Sequence, residues 1–185
     1  MQIIRGKFKG RKLIAVPTDA TRPTLARIKG SMFDMLDEYI AGSNVLDLFA
    51  GSGALGIECV SRGAKHVVFV DNQKESIKTI KTNLKQQLDG VTLVESDYER
   101  ALFSFAKSGQ KFDLVLLDPP FDSDYLEKVL YLLHKKELLD NGAIIMCEMN
   151  NKKLLQNYPQ KYIIDKVKEY GFVKVVIFKY QKESA

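Results

Sequence analysis

The sequence predicts an α/β fold built on a doubly wound, mostly parallel sheet. Three observations predict it. Short apolar runs, typical of strands buried on both faces, alternate along the chain with amphipathic helical segments. A glycine-rich turn, 51–56, follows the first of these runs. Near the end of the chain, segments 162–167 and 173–178 alternate apolar and polar residues around a Tyr170-Gly171 connection, as in an antiparallel hairpin.

Each element of the sheet has its own signal. The predicted parallel strands are 45–48, 66–71, 91–94, 112–117 and 142–147. The predicted helices between them are 54–62, 73–88, 101–106 and 126–139. Another helix begins near Thr24 and repeats apolar residues at a helical period before the first strand. With the two C-terminal hairpin strands, these elements make a Rossmann-like, seven-stranded sheet.

Length and composition limit the class of protein. The 185 residues fit one domain, 1–185, and 45% hydrophobic with 28% charged residues is ordinary for a globular chain. No apolar stretch approaches the roughly 18 residues of a membrane span, and the basic N-terminus lacks an apolar signal core. Cys59 and Cys147 have no metal-ligand spacing. We therefore expect a cytoplasmic monomer without membrane contact and without a metal.

The glycine turn predicts a cofactor site. Residues 51–56 match the G-x-G-x-x-G fingerprint, which alone does not separate two cofactor classes. Asp47 precedes the turn near the carboxyl end of the strand, where open α/β sheets bind ligands. Its carboxylate would repel the diphosphate of NAD but attract the ammonium and sulfonium groups of S-adenosylmethionine. The sequence favours the sulfonium cofactor, although Asp47 could instead hydrogen-bond the loop backbone.

Two further acids follow later strands. Asp71 ends the second strand at the spacing where an acid meets the ribose hydroxyls of an adenosine; the alternative, capping of the next helix, is a role that Asn72 can fill. Asp97, followed by Tyr98, is equally placed to accept a hydrogen bond from an adenine amine or to cap the helix after it. Both acids extend the predicted cofactor site.

The fourth strand runs into a second motif, Asp118-Pro119-Pro120-Phe121. Consecutive prolines fix the backbone and remove two N–H donors, which leaves carbonyl acceptors without local partners. The Asp118 carboxylate and a proline carbonyl together could hold the two hydrogens of a planar amine, while Phe121 could stack on the ring that bears it. The motif therefore predicts the acceptor half of the site.

Basic residues are concentrated in an N-terminal arm, residues 1–30. The arm has a net charge of +7, against +5 for the whole chain. Its predicted RNA-binding residues are Arg5, Lys7, Phe8, Lys9, Arg11, Lys12, Arg22 and Arg27. A small β-hairpin, turning at Gly6–Gly10, would present Phe8 for base stacking or bury it beneath the hairpin. The charge favours nucleic acid over a merely solvated face.

These motifs together resemble a known family. The run 46–53, the acid Asp71 and the motif 118–121 resemble class I S-adenosylmethionine-dependent methyltransferases, and the N-terminal pattern is similar to the bacterial 16S ribosomal RNA guanine-N2 methyltransferases of the RsmD type. The resemblance implies that Asp118 to Phe121 hold a guanine and that the arm binds 16S ribosomal RNA or a small-subunit assembly intermediate. It implies cofactor contacts for Asp47, Phe49, Ala50, Gly51, Ser52, Gly53, Asp71, Asn72, Asp97 and Tyr98.

Three other functions share parts of this pattern. A DNA methyltransferase acting on adenine N6 or cytosine N4 can carry the same Asp-Pro-Pro-Phe motif, but such enzymes usually need more chain for target recognition. An NAD-dependent oxidoreductase could use the glycine turn. A non-catalytic RNA-binding module would explain the basic arm alone.

Overall fold

The computed structural model describes residues 1–17, 24–85, 87–120 and 124–182. The strands are β1 (Asn44–Leu48), β2 (His66–Asp71), β3 (Val91–Glu95), β4 (Phe112–Leu117), β5 (Leu139–Asn150), β6 (Tyr162–Tyr170) and β7 (Val173–Tyr180). The helices are α1 (Thr24–Leu36), α2 (Ala54–Ser61), α3 (Lys74–Leu84), α4 (Tyr98–Ser108) and α5 (Tyr125–Lys135), with a 3-10 turn at Asp37–Tyr39. All seven strands form one sheet in the order β3-β2-β1-β4-β5-β7-β6.

The order in which the chain adds strands to the sheet reverses between β1 and β4. β1 pairs in parallel with β2 on one side and with β4 on the other. The chain builds outward from β1 to β3 and then crosses to β4 and β5. At such a switch point the connections leave the two neighbouring strands toward opposite faces and open a crevice beyond their carboxyl ends. Phe49 follows β1 and Asp118 follows β4, so both lie at this crevice.

Helices cover both faces of the sheet. Val45, with side chains of α1, α2 and α3, belongs to the buried cluster on one face. Leu46, with side chains of α4 and α5, belongs to the cluster on the other. Neighbouring residues of β1 therefore enter opposite cores, which is why the central strands are apolar without alternation. The predicted Rossmann-like, doubly wound architecture is confirmed.

The C-terminal hairpin completes the sheet. β7 lies between β5 and β6 and is antiparallel to both. Gly171, with φ 61°, makes the turn between β6 and β7, where a side chain would be strained. The predicted antiparallel hairpin is confirmed, and β6 forms the outer edge.

Several predicted boundaries were wrong at the end of α5 and in β5. α5 ends at Lys135 instead of 139, because the Leu138 N–H turns back to donate to the carbonyl of Leu133 at 3.0 Å. β5 begins at Leu139 and continues to Asn150, beyond both predicted ends. Gly142 had suggested the strand start, but its φ of 85° is an irregularity inside the strand. The longer β5 carries Glu148, which the predicted strand omitted.

The N-terminal hairpin is reduced to a single antiparallel bridge, Gln2 with Lys12. Further backbone hydrogen bonds join Ile3 to Gly10 and Arg11, and the residues between them also bind α2. The N–H groups of Ile4 and Arg5 donate to the two carboxylate oxygens of Glu58, at 2.9 and 3.0 Å. The Phe8 N–H donates to Ser61 Oγ at 2.9 Å. Because these backbone N–H groups donate to side chains of α2, the hairpin is fixed against that helix.

No helix in the described ranges has the length and hydropathy needed to cross a membrane.

Candidate active site

The glycine turn is tied to the neighbouring strand. Phe49 has φ 71°, an uncommon conformation for a residue with a side chain, and Gly53 has φ 77°. The N–H groups of Phe49 and Ala50 both donate to the carbonyl of Val70, at 3.1 and 3.0 Å. The Gly53 N–H donates to the carbonyl of Ala50 at 2.7 Å. These bonds hold the turn over the end of β2, with Ser52 between its glycines.

Asp71 links two loops of the crevice. Its Oδ2 accepts from the Gly51 N–H at 2.8 Å, and its Oδ1 accepts from the Gln73 N–H at 2.9 Å. Asn72 is exposed beside it, and Gln73, not Asn72, is the N-cap residue of α3. Each carboxylate oxygen keeps a second lone pair, so ribose binding stays a prediction alongside the loop contacts.

Asp47 is buried beneath α2, with 2% of its surface exposed. Its Oδ2 accepts from the Gly56 N–H at 2.8 Å. Of the two roles predicted for Asp47, the hydrogen bond to the backbone describes its contact. Burial, together with the Asp118 and Asp71 carboxylates, raises the pKa of Asp47 to about 7 against the opposing effect of the Gly56 bond. Asp47 therefore contacts the backbone of α2, and its interaction with the carboxyl groups of Asp71 and Asp118 is electrostatic.

Gly56 is required by this arrangement. A Cβ at residue 56 would lie 2.3 Å from the Phe69 ring and 2.8 Å from Asp47 Oδ2. Neither contact is sterically allowed, so glycine lets α2 approach β1 and β2 closely.

Three aromatic rings line the crevice, contributed by the segments that follow β1 and begin α4 and α5. The rings of Phe49 and Tyr125 are stacked, with centroids 5.7 Å apart and planes 8° from parallel. Tyr98 is tilted against both, at 5.6 and 5.2 Å. Burial, with the hydrogen bond to Glu99, raises the pKa of Tyr98 to about 12. Tyr125 was missed in the sequence, although it begins the helix after the Asp118 motif.

Asp97 caps α4. Its side chain accepts from the Arg100 N–H at 3.0 Å and forms an ion pair with the Arg100 side chain at 3.2 Å. Of the two roles left open by the sequence, capping is therefore the one present, and adenine binding stays a prediction.

Asp118 lies level with Glu148 on the neighbouring strand. The β4–β5 register pairs Leu117 with Cys147, so the next residues of each strand are Asp118 and Glu148. Asp118 is partly exposed, Pro119 is buried and Pro120 is exposed. Phe121 lies outside the described residues, and its stacking role stays a prediction.

Glu148 is a buried acid whose surroundings do not stabilise a negative charge. Only 3% of its surface is exposed, and its Oε1 has no hydrogen-bond partner within the part of the chain that the structure describes. Burial and, secondarily, the Asp118 carboxylate raise its pKa to about 8. The sequence offered a signal, since Glu148 directly follows an apolar run, as Asp71 and Asp118 do.

The predicted basic side chains of the arm differ in their surroundings. Arg5, Lys7, Lys9 and Lys12 are exposed, and Arg11 is partly exposed. Arg5 forms an ion pair with Asp37. Arg11 lies over the Phe8 ring, with its Cζ 3.9 Å from the centroid.

Phe8 itself is buried. Of the two roles left open for Phe8, base stacking is therefore wrong, because the ring belongs to the buried core with Arg11 over it, and packing beneath the hairpin is the role present. Arg22 lies outside the described residues, as does the side chain of Arg27.

An ion-pair network under the arm was also missed. Glu58, fully buried on α2, binds Lys29 Nζ at 3.0 Å and Arg62 Nε at 2.9 Å. Burial alone would raise the pKa of Glu58, but Lys29, the Ile4 N–H and Arg62 hold it below its usual value. Burial lowers the pKa of Lys29 despite its partner. This buried group is structural and fixes the arm to α2.

Comparison with known proteins identifies the family. The family described as conserved hypothetical protein 95 matches residues 1–179. Ribosomal RNA small subunit methyltransferase D of Haemophilus influenzae is 35% identical over 181 residues, 96% of this chain and 93% of the relative. The Escherichia coli K12 protein of the same name is 30% identical over 184 residues, 100% of this chain and 91% of the relative. The chain belongs to the ribosomal RNA small subunit methyltransferase D family.

Solved structures agree with the fold of this family. An Escherichia coli structure superimposes with a TM-score of 0.85 at 29% identity and covers 99% of both chains. The Thermus thermophilus 16S rRNA N2 G1207 methyltransferase, solved with AdoMet and guanosine, has a TM-score of 0.67 at 19% identity. It covers 90% of this chain and 45% of its own, and shares the fold alone.

The side chains at the crevice fit the methyl donor of a methyltransferase family. Asp47 interacts electrostatically with Asp71 and Asp118, so three carboxyl groups act on one small region. A ligand with an ammonium and a sulfonium would relieve their repulsion, whereas a diphosphate would increase it. Among the described residues, no three His, Cys, Asp or Glu side chains form a metal-binding group.

Proposed function

We propose that this family member transfers a methyl group from S-adenosylmethionine to the exocyclic N2 amine of a guanine in 16S ribosomal RNA. The observation that carries the proposal is the position of Asp118 and Pro119 beside the glycine turn at the switch point of the sheet. In this proposal the donor half and the acceptor half of one site would lie on neighbouring strands. Family membership supports ribosomal RNA methylation, and the amine-binding motif supports the finer choice.

The donor half holds the cofactor through backbone and acids. The turn from Phe49 to Gly53 would border the methionine part, Asp71 the ribose, and Tyr98 with Tyr125 the adenine. S-adenosylmethionine supplies a methyl group already activated on a positive sulfur. The chain therefore needs to supply alignment, which can lower the barrier by roughly 7–11 kcal/mol in favourable cases.

The acceptor half orients the amine. The Asp118 carboxylate and the Pro119 carbonyl accept its two hydrogens, which directs the nitrogen lone pair toward the methyl group. As the carbon–nitrogen bond forms, positive charge develops on nitrogen, and the Asp118 carboxylate stabilises that charge and can receive the proton that leaves. Reaching the guanine edge requires an unpaired or flipped nucleotide, with Phe121 stacking on the base.

The arm holds the RNA. Lys7, Lys9 and Lys12 project from the docked hairpin and would contact phosphates. The docking on α2 fixes these three lysines relative to the crevice. The substrate is free 16S ribosomal RNA or a small-subunit assembly intermediate, and the protein acts as a monomer in the cytoplasm.

The test is to identify the methylated nucleoside. The protein is incubated with radiolabelled S-adenosylmethionine and either free 16S ribosomal RNA or small subunits from a strain that lacks the enzyme, and the RNA is digested to nucleosides. We expect label in N2-methylguanosine. Label in N6-methyladenosine or N4-methylcytidine, or only in DNA, would contradict the proposal, and no label at all would favour an RNA-binding module.

The role of Phe121 is tested separately. Phe121→Ala should lose methyl transfer while keeping its affinity for S-adenosylhomocysteine, measured by calorimetry. A variant with weakened cofactor binding alone would rule out the stacking role.

A further inference from the structure

Glu148 is a buried acid that the fold does not explain. In β5 it follows Cys147, and its side chain belongs to the face that carries Met146 and the α1–α3 core. Its cross-strand neighbour on β7 is Val175, a buried apolar residue. Its Oε1 has no donor among the described residues. A buried polar atom without a partner costs free energy, so it usually has a functional reason.

The missing partner of Glu148 must be a hydrogen-bond donor, because a carboxylate oxygen only accepts. It would lie near Asp118, in the half of the site proposed to bind the guanine. Among the described residues, the charged group that acts on Glu148 is the Asp118 carboxylate, which repels the negative charge of an ionised Glu148. Adjacent parallel strands lie about 4.8 Å apart, so the carboxyl groups of Asp118 and Glu148 border the same small space. A ligand that satisfies both must present neighbouring donors on one planar edge.

Guanine presents such an edge. Its N2 amine stands next to the ring N1–H, so both atoms are donors. Adenine and cytosine instead place an acceptor nitrogen beside their amine. An ionised carboxylate facing that acceptor would meet a lone pair and gain no hydrogen bond.

We propose that the Glu148 carboxylate accepts the N1–H of the target guanine and selects guanine over other amine-bearing bases. This inference rests on the proposed guanine-N2 function and deepens it. Asp118 and the Pro119 carbonyl hold the reacting amine, and Glu148 reads the ring atom beside it. Glu148 is thus a specificity residue that contacts the substrate.

The titration of Glu148 supplies an independent readout. In the free protein its pKa of about 8 keeps most of the carboxyl group protonated at neutral pH, and the protonated group accepts the N1–H more weakly than the carboxylate does. Because kcat/KM reports the free enzyme, it should rise with pH up to about 8 and then level off. Glu148→Gln removes the titrating group and should remove this rise.

The decisive experiment replaces the target guanine with 2-aminopurine, which keeps the N2 amine but has an acceptor at N1. The nucleotide is introduced by ligation into the RNA at the position found by nucleoside mapping. Above pH 8, we expect the wild-type protein to prefer guanine by roughly 10- to 100-fold in kcat/KM, the size of a well-placed base contact. Glu148→Gln should bring the ratio near one, because its amide can donate to the N1 of 2-aminopurine.

Controls separate the possible outcomes. Glu95→Gln changes an exposed glutamate at the end of β3 and should keep the wild-type ratio. Equal use of the two bases by the wild type, or an unchanged ratio in Glu148→Gln, would overturn the role of Glu148 while leaving guanine methylation intact. Failure of the wild type on the guanine RNA itself would overturn the proposed function, and this inference with it.

A wild-type measurement keeps the inference testable if Glu148→Gln does not fold. Below pH 8 the protonated carboxyl group can donate to the N1 of 2-aminopurine, so the preference for guanine should shrink as the pH falls. A preference independent of pH would count against Glu148. Calorimetry with S-adenosylhomocysteine should give equal affinities for wild type and variant, since Glu148 acts on the acceptor side.

Discussion

Two buried glutamates on this molecule have opposite surroundings. Glu58, on α2, receives Lys29, Arg62 and two backbone N–H groups of the arm. Glu148, on β5, has an oxygen without a partner among the described residues and an acid, Asp118, beside it. The pKa of Glu58 is lowered, whereas that of Glu148 is raised.

The difference separates a structural acid from a functional one. Charges that the fold needs are compensated within the fold, as at Glu58. A buried acid without a hydrogen-bond or ion-pair partner lowers stability and is typical of a ligand-binding site. The same distinction divides the docked arm from the crevice, and it can be tested in both regions.

The largest expected effect concerns Glu58 itself. Glu58→Gln should lower the free energy of unfolding by about 3–5 kcal/mol, because it leaves Lys29 and Arg62 without their buried partner. Glu148→Gln is the matched variant, and above pH 8 it should leave stability unchanged or raise it. Urea denaturation followed by circular dichroism measures both. If both variants lost the same free energy of unfolding, Glu58 and Glu148 would not differ as a compensated and an uncompensated acid.

The next effect is a pH dependence of stability. The pKa of Asp47 is about 7 when folded and near its ordinary acidic value when unfolded, so between these values the folded state holds a proton that the unfolded state releases. Stability should therefore fall as pH rises from about 4 to 7, by on the order of 4 kcal/mol. In Asp47→Asn, whose amide oxygen can still accept from Gly56, the fall should be smaller by this amount, and the part that remains belongs to Glu148, whose raised pKa acts in the same direction.

Denaturation midpoints measured in urea at intervals from pH 4 to 9 provide the measurement for Asp47. Asp89→Asn, at an exposed aspartate, is the control. The same pH dependence in the wild type and in Asp47→Asn would show that Asp47 is compensated in the folded protein, as Glu58 is.

An effect of similar size on activity is expected at Asp118. Asp118→Ala should lower kcat by about 10²- to 10³-fold, since it removes an acceptor that stabilises charge developing on the amine. The affinity for S-adenosylhomocysteine should stay the same. Asp113→Ala, at the other end of β4, removes a carboxylate that receives the Asn44 N–H and should retain methyl transfer. Near-normal transfer by Asp118→Ala would make the assignment of Asp118 wrong.

The smallest effect concerns the arm surface. Replacing Lys7, Lys9 and Lys12 by glutamate should weaken RNA binding, because these lysines would no longer neutralise phosphates. The slope of log K against log salt should become shallower by about one for each phosphate that the arm ceases to bind. Fluorescence anisotropy at several salt concentrations measures the slope.

A matched charge change on α3 serves as the control for the arm. Lys74 and Lys81 on this helix, with Lys85 just after it, are exposed, and the same substitution there should alter the slope less. If the substitutions on the arm and on α3 changed the salt slope equally, the arm would not be the preferred RNA-binding surface.

The sequence predicted the sheet well because its strands are specified locally. The apolar run of β1, the turn after it and the acids that end β2 and β4 are all contiguous signals, and the carboxyl ends of parallel strands meet at one edge. The motifs at Asp71 and Asp118 could therefore be assigned to one crevice before any contact was known. Tyr125 and Glu148 carried the same kind of signal in weaker form.

Contacts between distant segments could not be predicted in this way. The roles of Phe8 and Lys29 depend on α2, whose Glu58 and Ser61 bind the arm across more than 50 positions of sequence. A phenylalanine between lysines has the same local pattern whether it is buried or exposed. Likewise, nothing in the spacing of Asp47 distinguished a ligand contact from a bond to the Gly56 N–H.

The sequence by itself determined the fold and the family and predicted the two halves of the site, because each depends on short patterns of residues that any chain of this class must satisfy. Only the tertiary structure decided which charges are compensated. Burial and partners set the state of a carboxyl group, and both come from elements far apart in the chain. For that reason Glu58 and Glu148, alike as residues, have different roles.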